Sequence, residues 1–412
     1  MALAGCGPGS PAPPLPACVA VDGGPAAVQL DATGFFRVEQ LCDRWWFVTP
    51  DGHPFWSAGV NSVNPRGSAS QVTGELAYGD AVAARYESDE AWADATVERL
   101  HGWGFNTAGS WSTTELLAPR MVSAPNLSLG MDNWQTGAAP DYFDPAWEAA
   151  VQARALEVAG PLREEPNLLG WFLDNENKWG PDWRGTDSFL AQYLALPEGS
   201  PGRLAAEAAQ REPDPETAFL VAAAERYFSV TTAAVRAVDP NHLILGNRDV
   251  AILSRPELVE VSARYVDVLS FNSYVFFDVV VEGAQRLSGG LSADDALAAH
   301  YAIAHKPVLV SEFGFRAADS GLPNSWPPIY PTLPTQADRA SAFEAYVREH
   351  QAAPWIVGVH WFAWVDEPVD GRFDGEDNNW GLVSQSDEPW QLLTERAATV
   401  LPQVYGTLEE PR

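Results

Sequence analysis

Eight short runs of strand-forming apolar residues, separated by stretches with helical spacing, most limit how this chain can fold. The runs are Phe55–Asn61, Gly104–Ala108, Asn126–Gly130, Leu168–Leu173, His242–Gly246, Val266–Phe271, Pro307–Ser311 and Ile356–Trp361. Each is almost continuously apolar, as expected of parallel strands covered on both faces. Helical patterns lie between them, among them Asp89–His101, Pro145–Arg163 and Glu216–Val238. Such alternation predicts an α/β chain folded as a (β/α)8 TIM barrel. Phe35–Val38 and Arg44–Val48, followed by the turn Thr49-Pro50-Asp51-Gly52, predict a small hairpin under that barrel. The expected organisation is a leader and tether over 1–34 and a single catalytic domain over 35–408. Long loops are expected at Gly180–Pro215 and at the Pro-rich Gly314–Thr335.

Two of the runs end in a glutamate. Gly170-Trp171-Phe172-Leu173-Asp174-Asn175-Glu176 is one, and Pro307-Val308-Leu309-Val310-Ser311-Glu312-Phe313 is the other. In a barrel, residues just past the strand ends converge on one mouth. Here they would be Asn61, Trp111, Asn175, Glu176, Arg248, Asn272, Tyr274, Glu312, Trp361, Trp364 and Asp366. Two carboxyl groups facing each other across a mouth suit glycoside hydrolysis, one protonated to serve the leaving oxygen and one ionised. Structural readings stand beside this one. Asn61, Trp111 and His360 could serve packing or a buried hydrogen bond. Trp179 and Trp183 could be sugar platforms or loop anchors, and Arg316 and Arg372 could bind hydroxyls or pair with acids. No His/Cys cluster has metal-ligand spacing and no Gly-rich phosphate loop follows a strand, so neither metal nor cofactor is expected.

The net charge of −30 argues against nucleic acid as a partner and makes a polyanionic glycan a poor substrate. A neutral glycan fits better, and some of the 17 Trp residues could stack on its sugar rings. All three cysteines, Cys6, Cys18 and Cys42, lie in the first tenth of the chain. Leu3-Ala4-Gly5-Cys6 matches a bacterial lipoprotein cleavage box, with Gly7–Pro16 as a flexible tether. Only five residues precede Cys6, too few for a signal, so this reading puts the true start upstream of Met1. It predicts an exported protein, lipid-anchored at the cell envelope through Cys6 or secreted, with Cys18 and Cys42 available as a disulfide pair. No stretch is long and apolar enough to span a membrane.

The strand-four Asn175-Glu176, the strand-seven Glu312 and the strand-eight indoles resemble the clan A retaining glycoside hydrolases. That resemblance implies Glu176 as acid/base, Glu312 as nucleophile and Asn175 on the sugar 2-hydroxyl. It also implies Tyr274 beside the nucleophile and Trp364 as the floor of the reacting subsite. Asp174–Gly180, His360–Pro368 with Gly371-Arg372 and Asp374–Asn378, and Trp46–Asn61 are similar to segments of the β-agarase family, so the likeness spans roughly residues 36–395. It implies double-displacement hydrolysis of β-linkages in an agarose-like galactan. Asn61, Trp111, Asn175, Trp179, Asn272, Tyr274, His360, Trp361 and Trp364 would contact the sugar. The extra β-rich domain usual before such barrels is not present in this sequence, and the pattern is patchy over 180–215. A β-galactosidase- or β-glucosidase-type exo-enzyme, a transglycosylase and a non-catalytic carbohydrate-binding barrel remain as alternatives.

Overall fold

Parallel strands whose two faces are both apolar must be covered on both sides, and the pairing found here meets that demand. The computed structural model of the chain describes residues 18–20, 27–130, 133–275, 293–407 and 409–411. Cys6 and the tether after it lie outside these residues. Cys42 is disulfide-bonded, while the expected pairing with Cys18 falls outside the described side chains.

The strands that carry the architecture are β1 Ser57–Val60, β2 Thr107–Ala108, β3 Val122–Ser123, β4 Gly170–Trp171, β5 Leu243–Ile244, β6 Leu269–Asn272, β7 Val308–Phe313 and β8 Ile356–Trp361. A seven-stranded sheet, parallel at every pairing, runs from Asp249–Val250 through β6, β7, β8, β1 and β2 to β3. β4 and β5 form a separate parallel pair. Leu169 N–H donates to Ser123 O at 2.9 Å and Phe172 N–H to Pro125 O at 3.0 Å, linking β3 to β4. Asp267 N–H donates to Ile244 O at 2.9 Å, linking β5 to the segment leading into β6. The chain is thus a mixed α/β fold built on parallel strands.

The third strand lies at Val122–Ser123, not at Asn126–Gly130 as the sequence suggested. Asn126 makes only an isolated bridge to Phe172. Ser128 has a left-handed φ of 55°, which ends regular pairing there.

Helices α1 Asp89–Gly102, α2 Pro145–Ala159, α3 Pro215–Val238 and α4 Gln336–Ala352 start where the sequence supplies an acceptor. Ser88, Asp144, Asp214 and Thr335 each accept a first-turn N–H. Pro145 and Pro215 sit in the first turn, where a missing N–H costs nothing.

The antiparallel strands Arg37–Leu41, Arg44–Val48 and Pro54–Phe55 close the opposite side. Phe36, Phe47 and Phe55 pack with Leu169, Leu243, Val268, Leu309 and Val357, which stand at the N-terminal ends of β4 to β8. The C-terminal ends are left for the long loops.

The loop after β8 is tied down by a buried polar knot. Trp364 Nε1–H donates to Tyr78 Oη at 2.7 Å, as does Trp92 Nε1–H at 3.0 Å. Asp387 has no exposed surface and accepts from Arg99 at 2.7 Å and from Tyr86 Oη at 2.9 Å. The Arg99 guanidinium lies 5.1 Å and 5.2 Å from the Trp103 and Trp364 rings. Asp387 is the buried member, while the Arg99 side chain keeps 19% of its surface exposed. Asp387→Ala takes the acceptor from Arg99 and Tyr86 and should lower unfolding free energy by about 2 kcal/mol, read as a drop in the urea midpoint. An unchanged midpoint would show that the knot is not structural.

Candidate active site

Five consecutive strands end in a residue whose backbone is left-handed. Ser62, Trp111, Ser128, Glu176 and Arg248 have φ of 59°, 60°, 55°, 52° and 55° after β1 to β5. An L-residue there crowds its Cβ against the backbone, so such residues persist only where the surroundings hold them. At Glu176 the holding is visible. Arg184 Nη2–H donates to the Glu176 carbonyl at 2.7 Å, and Arg184 is fixed by Asp182 at 2.6 Å, with both side chains buried.

Arg248 is fully buried and binds three groups. Its Nε–H donates to Asn175 Oδ1 at 2.9 Å, Nη1–H to Ser311 O at 2.9 Å, and Nη2–H to Glu312 Oε2. Trp111 covers the guanidinium with its ring centre 4.6 Å away, and Phe172 lies at 5.2 Å. Asn272 completes the path. Its Nδ2 donates to Glu176 Oε1 at 2.9 Å and to Asn175 Oδ1 at 3.2 Å, while Ser311 Oγ–H donates to Asn272 Oδ1 at 2.9 Å. A register shift between Phe271 and Asn272 sets Asn272 opposite Glu312, an irregularity of the kind that re-aims a side chain. Tyr274 Oη–H donates to Glu312 Oε1 at 2.8 Å. Glu176 and Glu312 are therefore joined through Asn272, Asn175 and Arg248.

The two carboxyl groups do not share equally in these donors. Burial pushes Glu312 up to about 7, helped by Glu176, while Arg248 and Tyr274 pull against it. Burial also raises Glu176, opposed by the Asn272 amide and the more distant Arg184 and Arg248. Glu312 has the direct ion pair and a hydroxyl donor, whereas Glu176 meets a neutral amide. The ion pair and the hydroxyl therefore favour the charged form of Glu312 more directly than one amide favours that of Glu176.

Beneath this layer lies a polar floor. Asn61 Nδ2–H donates to Ser311 O at 3.0 Å, and His360 Nε2 lies 2.8 Å from Ser57 Oγ. Both residues have no exposed surface. His360 is pushed down to about 3 by burial and by Arg248, so it is neutral. A Cβ on Gly109 would lie 2.3 Å from Asn61 Oδ1, so glycine is needed there. Asn61 and His360 thus support the site from below, with Asn61 Oδ1 and His360 Nδ1 buried.

Three indoles expected to touch substrate are elsewhere. Trp361 is fully buried between Phe313, Phe343 and Arg339, with Nε1–H on Trp380 O at 2.9 Å, because its side of β8 faces helix α4. Trp364 is enclosed in the knot with Tyr78 and Trp103 and has no exposed surface. Trp179 packs among Tyr142, Phe189, Tyr227 and Phe228 as a loop anchor. Trp111 is 42% exposed and Trp183 is 53% exposed, so both remain available from solvent. Arg372 is occupied by Glu367, Asp374 and Glu376, and Arg316 by Asn378 and the carbonyls of Pro327 and Tyr330.

Several residues had no sequence signal strong enough to mark them as part of the site. Phe362, not an indole of β8, faces Trp111 at 6.3 Å and lies under the Arg372 guanidinium at 5.3 Å. Tyr330, from the Pro-rich loop after β7, packs on Tyr274 at 4.8 Å and feels the charges of Glu176, Glu376 and Glu312. Trp134 Nε1 is buried without a well-formed hydrogen bond, yet lies near enough to Glu176 to favour its charged form.

β-Agarase A of Vibrio sp. (strain JT0107) is 30% identical over 401 residues, covering 83% of this chain and 39% of that protein. β-Agarase B of the same organism is 26% identical over 485 residues, covering 92% of this chain and 49% of that protein. The chain is homologous to β-agarases. It spans less than half the length of these two relatives. The crystal structure of an agarase, AgWH50C, superposes with a TM-score of 0.75 at 26% identity, over 93% of this chain and 64% of that one. No protein-family model matches the chain.

The unequal donors yield a pH prediction. A hydroxyl donor favours the charged form of Glu312, so Tyr274→Phe should raise its pKa. The acid limb of kcat/KM on any glycoside the protein turns over should move up by about one pH unit. A limb that does not move would show that Tyr274 does not govern this carboxyl.

Proposed function

We propose that the chain is a retaining glycoside hydrolase of the clan A type that cleaves β-linkages in an agarose-like galactan. The observation that carries this reading is the path Glu176–Asn272–Asn175–Arg248–Glu312, which joins two buried carboxyl groups and biases the charge to one of them. Homology to β-agarases supports the galactan as substrate. For the scaffold we infer a closed (β/α)8 barrel. The hydrogen bonds from β3 to β4 and from β5 toward β6 would supply the two joins missing from the seven-stranded sheet.

Glu312, ionised, would attack the anomeric carbon while Glu176 gives its proton to the departing glycosidic oxygen. A glycosyl ester on Glu312 results, and Glu176 is left as the carboxylate. Water would then enter, lose a proton to Glu176 and displace Glu312, restoring both groups. Asn175, held by Arg248 and Asn272, has its amide available for a sugar hydroxyl. Trp111, above Arg248, is the best-placed stacking surface among the expected aromatics. Export, with lipidation at Cys6, belongs to the same reading and rests on the sequence motif.

Glu312→Gln keeps the shape of the side chain and removes the nucleophile. It should fold normally and lose at least about a thousandfold in turnover of agarose, read by mass spectrometry of the released oligosaccharides. Full activity in that variant would overturn the assignment. Wild-type activity confined to another β-glycan would keep the carboxyl pair and discard agarose.

A further inference from the structure

Trp179 stands three residues after Glu176, and Asp249 directly follows Arg248. The two meet, with Trp179 Nε1–H donating to Asp249 Oδ1 at 3.1 Å. Asp249 is buried, and among the described residues this indole is the side chain that hydrogen-bonds it. Its carboxyl faces Asp174 and Glu176. Asp174, also buried, accepts from Gly130 N–H and from Tyr227 Oη at 3.2 Å. The half-buried Trp179 ring packs against Tyr142, Phe189, Tyr227 and Phe228, with ring centres 5.4 to 6.3 Å distant.

Two adjacent residues therefore hold two different segments. Arg248 points into the mouth and grips Glu312 and Asn175. Asp249 accepts from Trp179 and so grips the loop that carries Glu176. A buried carboxylate with a single neutral donor is costly to keep, and nothing in the double displacement uses it directly. Glu176 itself sits on a left-handed backbone, φ 52°, that needs external support.

We propose that Asp249 is a positioning residue for Glu176, acting through the Trp179 indole to fix the proton donor relative to the Arg248–Glu312 pair. This rests on the reading of Glu176 as the acid. A displaced acid hurts most where the leaving group most needs a proton, and hardly at all where it departs unaided. A merely structural role would lower both rates alike.

The test uses the full chain and two aryl β-glycosides of one agarose oligosaccharide, one bearing dinitrophenol and the other unsubstituted phenol. Trp179→Phe removes the donor and keeps an aromatic ring, and Asp249→Ala removes the acceptor. Each should lose at least about tenfold more kcat/KM on the phenyl than on the dinitrophenyl glycoside. Asp249→Asn retains an acceptor and should recover most of that loss. Equal losses on both substrates, or none, would overturn the proposal. Thermal unfolding identifies a variant that fails to fold, and the others then carry the comparison. A wild-type chain inactive on both glycosides and on agarose would instead sink the hydrolase reading, and this inference with it.

Discussion

The Arg248 guanidinium is the interaction on which the rest of the site depends. A fully buried cation needs acceptors on every side, and Arg248 finds an amide oxygen past the end of β4 and a backbone carbonyl and a carboxylate on β7. Satisfying it draws β4, β5 and β7 into one arrangement. It also favours the charged form of the carboxyl group it grips, Glu312.

Around that cation the layers have separate tasks. Ser57, Asn61 and His360 form a neutral polar floor. Asn175, Asn272 and Tyr274 orient the carboxyl groups. Trp111 roofs the guanidinium on the solvent side. The hairpin strands seal the far ends of β4 to β8, opposite the face where the carboxyl groups emerge.

Much of this was legible in the sequence, for physical reasons. Apolar runs located β7 and β8 to within a residue or two, because strands covered on both faces tolerate few polar residues. The two glutamates at run ends marked the two buried carboxyl groups that the site brings together. The third strand was misplaced because only two residues pair there and the more apolar stretch beyond it turns left-handed at Ser128. The indoles of Trp361 and Trp364 were expected in the mouth because one side of a strand cannot be told from the other without knowing where helix α4 and the Asp387 knot lie. Trp179 misled for the same reason, since an aromatic in a loop reads alike whether it greets solvent or is walled in. Arg248 stood at a strand end in the sequence, but its hold on Glu312 links residues 64 apart and leaves no local signature.

The most direct measurement is peptide mass spectrometry of the chain after incubation with a 2-deoxy-2-fluoro β-glycoside of an agarose oligosaccharide carrying a good leaving group. The fluorine slows both steps, and the good leaving group lets the first proceed, so a covalent sugar accumulates on the nucleophile. The account predicts one added glycosyl group on the peptide containing Glu312. A label on Glu176, or rapid turnover with no label at all, would contradict it.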